Sequence, residues 1–148
     1  AWDAGLVVVV AAGNNGPRTM SITTPGISRK VITVGCSDDD REVLVGGNRM
    51  VDYSGRGPTA ACICKPDLVA PGCSVVSCSS RADKYTIKSG TSMSTPIVSG
   101  AVALLLERFP DMSNKDVKLR LRESSVDIGL PRNQQGWGLL DVGKMLER

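Results

Sequence analysis

One short segment of the sequence carries a side chain with nucleophilic potential. Residues 89–100 are SGTSMSTPIVSG, and Ser92 stands where this loop passes into an apolar block of helical character. Unpaired backbone N–H groups at a helix N-terminus carry partial positive charge, which favours an anion such as the oxyanion of an acyl-transfer intermediate. Ser92 is therefore a candidate nucleophile, although a serine that merely caps the helix explains this segment more simply when it is taken alone.

A second segment, AAGNNGP at residues 11–17, carries a candidate hydrogen-bond donor. A valine-rich run ends at Gly13, so Asn14 is expected at the carboxyl edge of a strand, where open α/β sheets bind their ligands. A side-chain amide in that place is a suitable donor to a developing oxyanion. A turn asparagine that tolerates an unusual backbone conformation is the simpler interpretation of this segment alone.

Short β-branched runs between turn residues predict the strands that would position these two side chains. LVVVVAA at 6–12 and KVITVGC at 30–36 are typical of buried parallel strands, and the four valines favour a strand covered on both faces. A surface hairpin is expected around Gly46, Gly47 and Asn48. Further short strands are expected within KPDLVAPG, SVVSC and KYTIKSG.

A change of hydrophobic period predicts that helices follow these strands. Residues 92–108 are apolar nearly all round, which indicates a buried central helix. Pro96 is tolerated without loss of a hydrogen bond only in the first turn, so the helix is expected to begin between Ser92 and Thr95.

Two further helices are predicted in the last third of the chain. SNKDVKLRLRESS at 113–125 begins with a capping-box pattern, Ser113 and Asp116, and places Val117 and Leu121 on one buried stripe. GWGLLDVGKMLER predicts a glycine-rich turn and a short terminal helix. Strands followed by helices that pack against them indicate an α/β layer structure.

Four blocks occur in an order and at separations that resemble one enzyme family. They are VVVVAAGNNGP, YSGRGP, KPDLVAPG and SGTSMSTPIVSGAVALLL. Together they resemble the carboxyl-terminal half of the catalytic domain of a subtilisin-like serine peptidase, a subtilase, over essentially the whole chain. The resemblance implies that residues 1–148 are part of a three-layer α/β domain with a mostly parallel sheet and a buried central helix that starts at the nucleophile.

The resemblance also implies a reaction, the hydrolysis of peptide bonds through an acyl-enzyme intermediate. Ser92 would be the acylating nucleophile. Asn14 would supply the side-chain donor of the oxyanion hole, alongside the backbone N–H of Ser92. A peptide or protein would be the substrate, and no cofactor would be needed for the chemistry.

A substrate-binding pocket is implied next to these two residues. Ala11, Ala12 and Gly13 would form one wall of the S1 specificity pocket. Thr23 falls where the family sets the depth of that pocket, and a β-branched hydroxyl there, in place of the glycine often found, would make it shallower and more polar.

Two positions differ from the family pattern or leave a choice open. Ile97 follows Pro96 where many subtilases have a histidine, but that histidine is not the catalytic base, so little effect on chemistry is expected. Asp67 matches a position that in some relatives helps to bind a weak cation together with backbone carbonyls. The resemblance therefore allows a structural Ca²⁺ or Na⁺ in the complete protein, while a salt-bridged or capping role for Asp67 is the other interpretation.

The sequence contains no histidine, so the usual base of a serine nucleophile is absent. In subtilases the order along the chain is Asp, His and then Ser, and the resemblance places this sequence after the first two. Because a serine hydroxyl without an adjacent base is a poor nucleophile at neutral pH, this chain alone is predicted to be inactive. It would need the missing amino-terminal half as a partner, or associate with a second copy across its exposed edge. A non-catalytic peptide-binding homologue is the alternative.

Composition and charge argue against other classes of function. The net charge is only +3, the densest basic cluster, KDVKLRLRE, has the spacing of a solvated helix face, and no aromatic residue interleaves with it. Nucleic-acid binding is therefore not expected. Nor is membrane insertion, because no apolar run approaches the ~20 residues that a spanning helix needs.

Five cysteines bear on the compartment of the protein. They are Cys36, Cys62, Cys64, Cys73 and Cys78. Their spacing matches no paired zinc motif, and no metal site is predicted from them. The odd number favours reduced, partly buried thiols in a reducing compartment such as the cytoplasm.

Overall fold

The computed structural model describes residues 1–80 and 84–147. Its strands are β1 (Val9–Ala11), β2 (Ile32–Cys36), β3 (Val43–Val45), β4 (Asn48–Met50), β5 (Leu68–Ala70), β6 (Val75–Cys78) and β7 (Tyr85–Lys88). Its α-helices are α1 (Thr91–Arg108), α2 (Asn114–Ser124), α3 (Arg132–Gln135) and α4 (Val142–Leu146), and a 3-10 turn at Trp2–Ala4 precedes them all.

A three-stranded parallel sheet in the order β1-β2-β5 forms the framework. Val10 lies opposite Thr33, and Gly35 lies opposite Val69. All of β2 is buried, as its β-branched run predicted. The run at 6–12 forms a shorter strand than predicted, and the prediction that both of its faces are covered is wrong. The side chains of β1 are only half-buried, because β1 is an edge with no neighbour on its outer side in the described part of the chain.

Two antiparallel hairpins complete the strands. The predicted hairpin of β3 and β4 is confirmed: Gly46 and Gly47 turn the chain with φ of 57° and 90°, and Asn48 begins the return strand. The remaining predicted strands are also confirmed, and β6 pairs with β7, so that Val76 lies opposite Ile87. Both of these side chains are about two-thirds exposed, at 63% and 66%.

Helix α1 begins at Thr91, one residue before Ser92. Pro96 therefore lies in the second turn, and the prediction that it lies in the first turn is wrong. A proline there has no N–H to give to the carbonyl four residues earlier, so the carbonyl of Ser92 lacks its helical partner. The helix continues beyond Pro96 because its next two turns pack on the sheet.

Only one face of α1 is buried. Val98, Ala101, Val102 and Leu105 pack against the sheet, whereas Leu104 on the opposite face is 48% exposed. The prediction that this helix is buried all round is wrong for this chain, because an apolar composition does not show whether the chain itself covers both faces.

The predicted α2 and terminal helices are confirmed. Ser113 Oγ accepts a hydrogen bond from the N–H of Asp116 at 3.2 Å, and the Asp116 carboxylate accepts one from the N–H of Ser113 at 3.0 Å, which completes the capping box. Val117 and Leu121 are fully buried. The short helix α3 was not predicted, and the side chain of Asp141 caps α4.

The main core lies between the parallel sheet and the helices α1, α2 and α4, which confirms the α/β class. Its buried members are Ile32, Val34, Leu68, Ala70, Val98, Ala101, Val102, Leu105, Val117, Leu121 and Met145. None of the helices within residues 1–80 and 84–147 is long and apolar enough to cross a membrane. All five cysteines are unpaired, and only Cys36 is buried.

Candidate active site

Ser92 is an exposed residue in the first turn of α1. Gly90, directly before the helix, has φ of 139°, a conformation that a side chain would strain. Its N–H donates to the carbonyl of Gly72 at 2.9 Å, and its carbonyl accepts from the N–H of Met93 at 2.8 Å. The loop after β5 therefore holds the approach to Ser92 in place. The N–H of Ser92 has no acceptor among the described residues, so it is free to bind an oxyanion.

The side chain of Asn14 is fixed against the same helix end. Its Oδ1 accepts two hydrogen bonds from Thr91, one from the backbone N–H at 3.0 Å and one from Oγ1 at 3.0 Å. Thr91 is fully buried, so this anchor is shielded from water. With the oxygen held by Thr91, the Nδ2 donors of Asn14 are turned away from it and have no acceptor within residues 1–80 and 84–147.

One cavity brings Asn14 and Ser92 together. It has a volume of about 720 Å³ and lies between the β3–β4 turn, the end of β7 and the start of α1. Its lining residues are Asn14, Asn15, Leu44, Val45, Gly46, Gly47, Asn48, Met50, Ile87, Lys88, Ser89, Ser92 and Met93. The cavity has a hydroxyl and an amide at one end and apolar side chains, among them Leu44, Met50 and Ile87, along it.

The four residues predicted for the S1 pocket lie behind Asn14 rather than around this cavity. The N–H of Thr23 donates to the carbonyl of Ala12 at 3.0 Å. A Cβ built on Gly13, whose φ is 93°, would come within 2.4 Å of Thr23 Oγ1. Ala12, Gly13 and Thr23 thus form one packed group, and Ala11 lies one residue earlier in β1. None of the four lines the 720 Å³ cavity, and their roles stay predictions.

Sequence reasoning missed two residues that hold the site. Thr91 orients the Asn14 amide. The only feature of the sequence that pointed to Thr91 was its position directly before Ser92. Tyr53, which is fully buried, donates from its hydroxyl to the carbonyl of Gly72 at 3.2 Å, the same carbonyl that accepts from Gly90. Tyr53 therefore supports the turn that leads into Ser92.

Buried titratable groups surround Tyr53. Burial raises the pKa of the Tyr53 hydroxyl, and burial also raises the pKa of the Cys36 thiol, to about 12. The Asp39 carboxylate is buried and accepts from the N–H of Ser54 at 2.7 Å. Burial raises the pKa of Asp39, and the hydrogen bond from Ser54 partly opposes that shift. None of these three side chains lines the cavity that holds Asn14 and Ser92, so their hydrogen bonds support the site from behind.

Asp67 is held in ion pairs, away from this cleft. Its carboxylate lies 2.5 Å from Lys65 Nζ and 3.5 Å from Lys118 Nζ. Of the two interpretations that the sequence left open for Asp67, the salt-bridged one agrees with these contacts. No group of three His, Cys, Asp or Glu side chains that could hold a metal ion exists in the described ranges.

The fold is that of the subtilisins. Sphericase, a solved structure, superposes with a TM-score of 0.77 and 31% sequence identity, over 95% of this chain and 49% of that one. The prenylagaramide maturation protease PagA superposes with a TM-score of 0.75 over 97% of this chain and 50% of that one, at 23% identity.

The chain belongs to the subtilase family, whose Peptidase_S8 model matches residues 1–138. Among curated relatives, the serine protease AprX of Bacillus subtilis is 42% identical over 138 residues, which are 84% of this chain and 31% of that protein. Subtilisin DY of Bacillus licheniformis is 35% identical over 144 residues, which are 96% of this chain and 47% of that protein. The chain thus spans about half or less of the relatives it matches, and it is similar to serine proteases.

Proposed function

We propose that this chain supplies the nucleophile and the oxyanion-binding groups of a serine endopeptidase. The observation that carries the proposal is the orientation of the Asn14 amide. Thr91 binds the amide oxygen through two hydrogen bonds at 3.0 Å, which leaves the amide donors free at the same cavity as Ser92. The bond from the N–H of Thr91 also caps the start of α1, but capping uses only the amide oxygen and leaves the Nδ2 donors for another acceptor.

The proposed reaction begins with attack of Ser92 Oγ on the carbonyl carbon of a peptide bond, while a base takes the hydroxyl proton. The oxyanion that forms accepts hydrogen bonds from the N–H of Ser92 and from Asn14 Nδ2, next to the positive end of α1. Collapse of this intermediate breaks the C–N bond, releases the protonated amine and leaves an ester on Ser92. Water then hydrolyses the ester. No cofactor takes part.

The base is proposed to come from outside this sequence, because the sequence contains no histidine. By the family resemblance, a histidine oriented by an aspartate would be contributed by another part of the protein or by an associated chain. The edge of β1 and the exposed face of α1 around Leu104 support such an association, since both leave backbone or apolar groups uncovered. The chain by itself is therefore proposed to be inactive.

Peptides and proteins are the proposed substrates. The contact of Thr23 with Gly13 supports a shallow S1 pocket, because the threonine side chain occupies space that a glycine at position 23 would leave open. Small or polar P1 residues are proposed to be preferred over bulky aromatic ones. Profiling of cleaved peptides on the full-length protein tests this preference.

Labelling with a fluorophosphonate tests the nucleophile. The reagent forms a phosphorus–oxygen bond with an activated serine and releases fluoride, so intact mass measures it directly. We expect labelling of the full-length protein, no labelling of the isolated chain, and loss of labelling in Ser92→Ala. Ser99→Ala is the matched control, because Ser99 is an exposed serine on the same helix. A full-length protein that resists labelling but binds peptides would instead be the non-catalytic homologue.

A further inference from the structure

Three charged side chains are buried together below the loop that precedes β2. Lys65 is only 1% exposed, Asp67 is 8% exposed and Lys118 is 18% exposed. Lysines are rarely buried to this extent unless they are paired. One carboxylate cannot neutralise two ammonium groups, so further partners are required.

Backbone carbonyls supply those partners. Lys118 Nζ donates to the carbonyls of Arg29 at 2.8 Å, Lys30 at 3.3 Å and Val31 at 2.9 Å. Lys65 Nζ donates to the carbonyl of Val31 at 3.0 Å and to Asp67 Oδ2.

Additional contacts hold the cluster on its other sides. Asp67 Oδ2 also accepts from the N–H of Thr33 at 2.7 Å. Lys118 Nζ lies 5.8 Å from the ring centre of Trp2 and 6.0 Å from that of Trp137, within range of a cation–π interaction. Burial lowers the pKa of Lys118, and the Asp67 carboxylate opposes this shift.

The oxygen atoms of this cluster are of the kind that hard cations bind. Successive carbonyls and a carboxylate are ligands for Ca²⁺ in proteins. Here, however, they already face two positive groups, and with Asp67 the cluster has a net charge of +1. A metal ion at Asp67 would meet both ammonium groups at contact distance, so the residues present do not fit the structural cation that the family resemblance allows.

We propose that the ammonium groups of Lys65 and Lys118 are a built-in substitute for a metal ion, joining residues 29–31 to Asp67. The joined segment leads from Gly26 into β2, and the carbonyl of Gly26 accepts from Thr33 Oγ1 at 2.7 Å. The two lysines thereby fix the segment between β2 and the turn in which the N–H of Gly26 donates to the carbonyl of Thr23 at 2.8 Å. This inference is independent of the proposed peptidase activity.

Thermal unfolding of the native full-length protein tests the proposal. Lys118→Met removes the ammonium donor of the Arg29 and Lys30 carbonyls, while the Val31 carbonyl keeps its bond from Lys65. We expect its Tm to fall by about 5–10 °C, the size expected when a partly exposed member of a buried ion cluster is removed. The Tm of Lys118→Met should be higher in potassium chloride than in choline chloride at equal ionic strength, because K⁺ can take the place of the lost ammonium group. Lys115→Met, an exposed lysine of α2, is the control and should show neither effect.

A second measurement separates this proposal from a metal site. Any rise of Tm with calcium should be the same in the original protein and in Asp67→Asn, since the calcium would bind elsewhere. Calcium stabilisation that disappears in Asp67→Asn would overturn the proposal, and so would a Lys118→Met protein whose loss no cation restores. If either variant fails to fold, calcium titration calorimetry of Lys65→Met decides, since loss of one ammonium group should create one calcium site beyond any that the original protein has. The same number of calcium sites in both proteins would overturn the proposal.

Discussion

The two hydrogen bonds between Thr91 and Asn14 allow a sharp test of how the proposed oxyanion donor, the Asn14 amide, is positioned. Thr91→Val keeps the shape of a fully buried side chain and removes only the bond from Oγ1, which is 3.0 Å from Asn14 Oδ1. The backbone N–H bond remains. A neutral hydrogen bond contributes about 1 kcal/mol, so kcat is expected to fall about five-fold. KM should change little, because the oxyanion exists only along the reaction path.

The assay is hydrolysis of a chromogenic peptide amide by the full-length protein. Thr95→Val is the matched control, because Thr95 Oγ1 bonds the Thr91 carbonyl at 2.9 Å and does not contact Asn14. It should retain kcat.

A double-mutant cycle decides whether Thr91 acts through Asn14. In subtilisin, loss of the asparagine donor of the oxyanion hole lowers kcat about 10²–10³-fold, and Asn14→Ala is expected to have an effect of that order. If Thr91 only orients the amide, Thr91→Val should cost nothing further in the Asn14→Ala background. Additive losses would refute this reasoning.

Three further predictions concern residues near the site. Thr23→Gly should open the space beside Gly13 and shift the P1 preference towards larger side chains, as measured by peptide profiling. Because burial raises the pKa of Asp39 above its ordinary 3.8, the folded state holds that proton more tightly than the unfolded state does, and stability from Asp39 is lost as pH rises from about that value. Denaturant unfolding should therefore show Asp39→Asn gaining stability relative to the original protein as pH increases. The Cys36 thiol, with its pKa raised to about 12, should resist iodoacetamide in the native protein while exposed Cys62 and Cys78 react, as read by peptide mass mapping.

Local sequence patterns predicted most of the elements, because their determinants are close together in the chain. The β-branched residues of β2, the Gly46-Gly47 turn and the Ser113–Asp116 capping box each act over a few residues. The pairing of β6 with β7 could not be predicted, since it depends on residues on either side of an intervening segment.

Burial was less predictable than secondary structure. The valines of β1 and the apolar side chains of α1 resemble those of fully enclosed elements, yet each element has a face that this chain does not cover. The helix start was predicted too late because Pro96 was assigned to the first turn. Packing of α1 on the sheet compensates for the hydrogen bond that Pro96 cannot make in the second turn.

In the candidate site, too, some residues were predicted from the sequence and others were found only in the structure. Asn14 and Ser92, which are 78 positions apart, were paired by family resemblance, whereas Thr91 became visible only from its contacts. The roles of Ala11, Ala12, Gly13 and Thr23 in substrate binding stay predictions, as does the reducing compartment expected from the cysteines.

The position of Pro96 has a consequence for Ser92, the proposed nucleophile. Carbonyls further along α1 are tied to the amide one turn ahead, but that of Ser92 is not, because Pro96 offers no proton. The carbonyl of Ser92 therefore has no helical donor, although the N–H of Met93 in the same peptide plane still donates to the carbonyl of Gly90 at 2.8 Å. In the proposed peptidase, this carbonyl is open to a donor from water or from a bound peptide, while Thr91 stays anchored to Asn14.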